Sequence, residues 1–481
     1  MKKIRLLLLT VALTCGLTAC GNDSTQGSNN GGNGANGKNQ GSISADSSLP
    51  TDKDGNKIVH LKVFTRDSSA PTRVTNFDQA AKNLNKALEA EGADYRVEVE
   101  QIVKSMNDDE FNQNFIFASQ SGNSADIYTI GYSALGWMAD GGYITALNGI
   151  EKEEVFKNLM NGYWNPVSWK GNIYGVVQDT EARVVYFNKD ALRSMGWSEE
   201  AINDLPVKAE SGEFTLDDMI DLAEKGKKAE VVKYGYEFDG GNNDNPMNFY
   251  NFGAEIYNWE DNKFVLNRAE MKDTFTWMKE SVDRGVIPAN NISTDKKEKL
   301  IRMLNGKTLF VQAGIWDEAK FRTNGWHEQL GNVTTDWIEE HVGVMNLPVA
   351  KKANTPITVS NPWVYLVSSN SKYPDVAKRL LVEVSAPEFQ AKHGVETSHI
   401  PFTKEGQEHP DIQKNAWLNK VKHYTNYSKF VGNHPDKPKY DKILKDASNY
   451  VMTGEKTPED AVKYMEDQMK LELKEGDYII K

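Results

Sequence analysis

Between residues 58 and 130 the chain alternates strand-like and helix-like patterns at a steady rhythm, and that alternation restricts the fold more than any other feature. Ile58-Val59-His60-Leu61-Lys62-Val63-Phe64 reads as a strand. Phe77, Ala81, Leu84 and Leu88 then fall at helical spacing, with Gly92 as the stop. Tyr95 to Glu100 alternates with period two, a second helix runs through Phe111, Phe115 and Ala118, and Ala125 to Ile130 is strand-like again. Strand, helix, strand, helix, strand at this spacing predicts βαβ units and a parallel sheet, hence an α/β fold. Thr215-Leu216-Asp217-Asp218 and Ser385-Ala386-Pro387-Glu388 read as capping boxes, and Thr457-Pro458 places a proline at a first helical position. With 481 residues, two or three domain-sized units are expected.

The N-terminus carries a different signal. Met1-Lys2-Lys3-Ile4-Arg5 is basic and Leu6 to Leu13 is apolar, a leader too short for a comfortable membrane span. It closes on Leu17-Thr18-Ala19-Cys20. Residues 21 to about 50 are Gly, Asn, Ser and other small polar types, which cannot bury enough apolar surface to offset their ordering entropy. About thirty such residues reach on the order of 30 Å as a flexible coil. Beyond the leader no run of eighteen apolar residues occurs. The chain has two cysteines, Cys15 and Cys20, so a chain starting at Cys20 could form no internal disulfide framework. A net charge of -12 argues against a nucleic-acid partner.

The Leu-Thr-Ala-Cys leader resembles the lipobox of bacterial lipoproteins, which implies a signal peptide over 1–19, lipidation of Cys20 and a tether over 20–54. Farther along, several segments are similar to the extracellular solute-binding proteins of family 1, which deliver sugars to ABC importers. They are Ala118-Ser119-Gln120-Ser121-Gly122 with Ala125-Asp126-Ile127; Asp140 to Leu147; Lys170-Gly171-Asn172-Ile173-Tyr174-Gly175-Val176; Val185 to Asp190; Asn305-Gly306-Lys307 before Ala313-Gly314-Ile315-Trp316; and Ser369 to Ala377. Alanine replaces the family's proline at positions 125 and 146. The resemblance implies a two-lobed, periplasmic-binding-protein-like fold of the maltose-binding type, with discontinuous lobes hinged about a ligand cleft. Its crossings are expected near Gln178-Asp179-Thr180, Thr355 to Val359 and His399-Ile400-Pro401. Lobe one would be 55–178 plus 357–400, and lobe two 179–356 plus 401–481.

It further implies a lipid-anchored, non-catalytic carbohydrate-binding component of an importer on the extracytoplasmic face of the cell membrane. Such a protein would be monomeric, dock on permease subunits and touch the membrane only through its anchor, with no cofactor and no metal. A sugar needs hydrogen-bonding edges and aromatic faces. Candidates from loops expected to face the cleft are Arg66, Asp67, Tyr132, Trp137, Asp179, Glu181, Arg183, Trp316, Asn361 and Trp363. Trp137 and Trp316 serve equally well as lobe core, and Glu181 with Arg183 as a hinge salt bridge. The loop Asp239 to Pro246 adds Asn243, Asp244 and nearby Asn248. Its oxygens suit sugar hydroxyls or Ca²⁺, and its composition also suits a plain turn. The alternatives are an exported glycoside hydrolase, a binding protein for a peptide or polyol, and a structural lipoprotein. Walker, His-Glu-x-x-His and Gly-x-Ser-x-Gly motifs are all absent from the sequence.

Overall fold

The computed structural model describes residues 48–160, 162–241, 243–350 and 355–481. The leader, Cys20 and all of the tether before residue 48 lie outside the described residues, as does Asn242 of the polar loop.

The alternation over 58–130 folds as its periodicities dictate. Strand β1 (Lys57–Thr65) leads into helix α1 (Thr72–Ala90), then β2 (Tyr95–Val103), α2 (Asp108–Gln120) and β3 (Ile127–Gly131). Helix α1 ends at Glu91, where Gly92 takes the left-handed φ of 71° that a side chain would disfavour. Strand β1 pairs in parallel with both β2 and β3, so the sheet begins in the order β2-β1-β3. It does not stay parallel. Trp363–Val367 adds antiparallel to β3, and Gly175–Val177 adds antiparallel to Trp363–Val367.

A second sheet has the order Val342–Met345, Arg183–Asn188, Thr308–Gly314, Tyr234–Glu237. Arg183–Asn188 is antiparallel to both of its neighbours. Its side chains alternate as a strand requires. Val185 and Phe187 enter one apolar cluster, which holds the helices Lys437–Thr453 and Pro458–Glu472. Val184 and Tyr186 enter another on the opposite face, with Trp417, Leu418 and Val421. A strand buried on both faces reads as a continuous apolar run, as Val184-Val185-Tyr186-Phe187 does. The first sheet has its own cluster, built on Val59, Leu61, Val63, Phe77, Leu84, Ile127 and Leu366, with Phe402 and Phe430 arriving from late in the chain. Each such fully buried side chain contributes roughly 1.5–3 kcal/mol.

Capping agrees at Thr215, whose side chain and Asp218 satisfy each other's backbone N–H groups. Thr457 likewise caps the helix that starts at Pro458. Ser385 does not form the expected box. It terminates the preceding helix, its hydroxyl donating to the Leu381 carbonyl, and Ala386 is the N-cap before Pro387.

The two sheets are joined by residues 178–182, by 355–362 and through the short stretch around Ile400, which forms a two-way backbone bridge with Thr180. Thr358–Val359 pairs with Ser428–Lys429 beside them. The chain around Asn433 also presses on the first sheet's side: a Cβ at Gly136 would sit 2.0 Å from the Asn433 carbonyl oxygen. A Gly136→Ala protein should therefore lose about 1–3 kcal/mol of stability, measured as a lower urea midpoint, because the clash is with backbone. An unchanged midpoint would show that the 430–434 segment is free to shift.

Candidate ligand-binding cleft

The crossing segments carry charged residues that the first and second sheets clasp from either side. Asp179 is buried and lies at the centre. Its Oδ1 accepts the Trp363 backbone N–H at 3.0 Å, and its Oδ2 accepts from Arg73 Nη1 at 2.7 Å. His393 Nε2 reaches the same Oδ2 at 3.1 Å. Burial alone would raise this carboxyl, but the Arg73 guanidinium and the His393 hydrogen bond hold it far below the usual range. Arg73 stands on α1 and also donates to Gln178 Oε1 at 2.6 Å. Its Nε, 3.5 Å from Asp67 Oδ2, has no protein hydrogen-bond partner.

Two residues on, Glu181 and Arg183 form a buried pair at 2.7 Å. Glu181 Oε1 also accepts the Asn361 N–H at 3.0 Å, and Arg183 also donates to the Val359 carbonyl at 2.9 Å. Burial pushes Glu181 up to about 7, against the pull of Arg183 and with the push of Asp179. Asp244 Oδ2 approaches Arg183 Nε at 3.3 Å, and Lys296 lies 4.0 Å from Asp244 Oδ1 and 3.4 Å from Asp317.

Each side of the crossing contributes an indole that is only partly buried. Trp363 opens its strand of the first sheet, with the Arg73 and Arg66 guanidinium carbons 4.2 Å and 5.0 Å from its ring centroid. Trp316 follows the second sheet's Thr308–Gly314 strand. His399 stacks on it at 5.8 Å and 9°, and Arg183 and Lys296 lie 5.1 Å and 5.2 Å from its centroid. Several buried acceptors around these rings have no protein partner: Asn243 Oδ1, Asp244 Oδ1 and Asn361 Oδ1. Acceptors left unpaired at this density are costly unless a ligand or water supplies the hydrogen.

Of the residues expected from sequence, the structure links Asp67, Asp179, Glu181, Arg183, Asp244, Trp316, Asn361 and Trp363 through these contacts. Arg66 joins them over Trp363 while its guanidinium pairs with Asp108 at 2.5 Å. Asn243 precedes Asp244 and is half-buried. Three expectations are corrected in position. Tyr132 is wholly buried, its hydroxyl accepting the Val431 N–H at 3.0 Å and its ring edge-on to Phe430. Trp137, partly buried, packs edge-on against Phe115 and Tyr143 and against the first sheet's apolar cluster. Asn248 is fully buried under the Asp244 loop, 3.3 Å from the Tyr236 hydroxyl. Each follows a strand or loop in sequence, and only packing turns the side chain inward. Arg73, Lys296, His393 and His399 were not among the sequence candidates. Arg73, six residues beyond Asp67 on the next helix, and His399, at the expected third crossing, carried the available cues.

Among the described residues of the Asp239–Asn245 loop, the two carboxylates do not form a free acidic cage. Asp244 is engaged by Arg183, and burial together with Asp244 raises Asp239. Asp179, His393 and His399 each bring one ligand atom within reach of a shared metal position, but Asp179 Oδ2 already accepts from Arg73.

Two sheets joined by three crossing segments, with charged and aromatic side chains converging from both, define a two-lobed cleft-binding protein. Residues 79–420 match the family described as bacterial extracellular solute-binding protein, and the chain belongs to that family. Solved structures share the fold. The GacH receptor of Streptomyces glaucescens GLA.O, studied unliganded and in complex with acarbose, is 16% identical with a TM-score of 0.66, covering 86% of this chain and 98% of that one. Maltose-bound MalE3 of T. maritima matches at 16% identity and TM-score 0.66, covering 86% and 99%. The sugar-binding protein MalE of Xanthomonas citri matches at 15% and 0.67, covering 85% and 96%. Among the described residues no helix is long and apolar enough to cross a membrane.

Proposed function

We propose that the protein captures a carbohydrate in this cleft and delivers it to the membrane subunits of an ABC importer. The observation that carries the reading is the pairing of two partly buried indoles, Trp363 and Trp316, from opposite sheets with unpaired buried acceptors on Asn243, Asp244 and Asn361. Flat apolar faces beside hydrogen-bond acceptors suit a sugar, which has apolar C–H faces and donating hydroxyls. The structural relatives that bind maltose or acarbose support the same class. In this reading lobe one is 55–178 plus 357–400, lobe two is 179–356 plus 401–481, and closure between them retains the sugar. Ligand shifts an open–closed equilibrium only through its preference for the closed form. Lipidation at Cys20 would hold the monomeric receptor on the extracytoplasmic face of the membrane. No catalytic step is assigned to it.

A panel of neutral mono- and oligosaccharides, screened by thermal shift and then calorimetry, tests the reading. At least one sugar at 100 times its Kd should stabilise the protein by about 2.7 kcal/mol, which appears as a raised Tm. No shift with any sugar, together with turnover of a glycoside, would replace the binding protein with a hydrolase.

A further inference from the structure

His399 stands at the third crossing and its two ring nitrogens have unlike surroundings. Nδ1 lies 3.1 Å from the Thr397 carbonyl oxygen and 2.9 Å from Thr397 Oγ1. The carbonyl only accepts, and the Thr397 hydroxyl already donates to the His393 carbonyl at 2.6 Å. Both groups therefore face Nδ1 as acceptors, so Nδ1 carries the hydrogen and the neutral ring presents a bare lone pair at Nε2. That lone pair is 4.0 Å from Asp179 Oδ2 and 4.0 Å from Glu181 Oε2, outside hydrogen-bond range of both. His399 Nε2 thus has no hydrogen-bond partner among the described residues. Burial keeps the imidazole neutral, with its pKa pushed down to about 3. The ring is also stacked on Trp316, which fixes the direction of Nε2 relative to that indole.

We propose that His399 is a specificity-determining residue of the cleft: its Nε2, which has no hydrogen-bond partner among the described residues, accepts a hydrogen bond from a hydroxyl of the bound solute. The inference rests on the carbohydrate reading and narrows it to a sugar that is uncharged where it meets His399. A carboxylate or phosphate oxygen offers no hydrogen to Nε2, whereas a hydroxyl does. A protonated amine has the right polarity but would be desolvated beside Arg73, which already occupies Asp179.

Two variants separate the ring from its nitrogen. His399→Phe keeps a ring on Trp316 and removes the acceptor; His399→Gln keeps an acceptor and removes the ring. With the tightest sugar from a panel of maltose, maltotriose, cellobiose, xylobiose and raffinose, the Phe variant should bind about 10- to 100-fold more weakly by calorimetry. The Gln variant should recover part of that loss. Glucose 6-phosphate and glucuronic acid should bind far more weakly than glucose. Independently of any variant, the ¹⁵N spectrum of histidine-labelled protein should show the Nδ1–H tautomer at His399, with Nε2 shifting when sugar is added. Wild-type affinity in His399→Phe, an Nε2–H tautomer, or stabilisation by ZnCl₂ alone that His399→Gln abolishes would overturn the proposal while leaving sugar binding intact. Absence of binding by every sugar would instead remove the carbohydrate reading itself.

Discussion

An Arg183→Ala protein is expected to lose about 3–5 kcal/mol of folding stability, because one buried cation balances two buried carboxylates. Glu181 lies 2.7 Å from its guanidinium and Asp244 3.3 Å, and all three residues are at most 5% exposed. Removing the arginine leaves Glu181 in the crossing without its counter-ion, Asp244 with only Lys296, at 4.0 Å, among the described residues, and the Val359 carbonyl without its donor. The loss should depend on pH. Glu181 is held near 7 by burial even beside Arg183, above its value in an unfolded chain, and without the arginine it rises further. A folded-state pKa raised in this way lets the native state take up a proton as pH falls, so stability is regained toward acid and lost as pH rises through the folded value. Urea midpoints should therefore fall further below wild type at pH 8 than at pH 5. A loss of less than about 1 kcal/mol at both would mean that the pair is screened as a surface ion pair would be.

Trp363→Ala is expected to weaken sugar binding by about 100-fold, as truncation of a central aromatic anchor does. The indole is partly buried, begins its strand directly after the crossing, and carries Arg73 at 4.2 Å from its ring. Its backbone N–H bond to Asp179 survives the substitution, so the crossing itself should persist. Trp137→Ala provides the contrast: that ring packs against Phe115 and Tyr143, so its removal should lower stability and leave affinity within a few-fold of wild type. Calorimetry with the same sugar on both variants distinguishes platform from core. Equal affinities for Trp363→Ala and wild type would take Trp363 out of the site.

The alternation of β1, α1, β2, α2 and β3 was legible because each element's period repeats within its own residues. The charged crossing near Gln178-Asp179-Thr180 was expected only from the resemblance to the solute-binding family, not from any local period. The antiparallel entry of Trp363–Val367 beside β3 was not legible, because nothing local in a strand states which neighbour it will take. The same limit governs the site. Tyr132 and Trp137 look like cleft aromatics when read as residues just past a strand, yet their rings turn toward the core.

Sequence by itself determined the early elements, the caps at Thr215 and Thr457, the family and a list of chemically suitable side chains. Tertiary structure decided which of those side chains meet. Thr72 and His393 touch across 321 positions, Arg73 and Asp179 across 106, and His393 and Asp179 across 214. Periodicity and capping are set within a few residues, whereas the hydrogen-bond partners of a buried charge are set by how separate segments pack. That is why Asp179 was visible as a candidate, while Arg73 and His393, which with burial fix its charge and its neighbours, emerged only when the crossings were folded together.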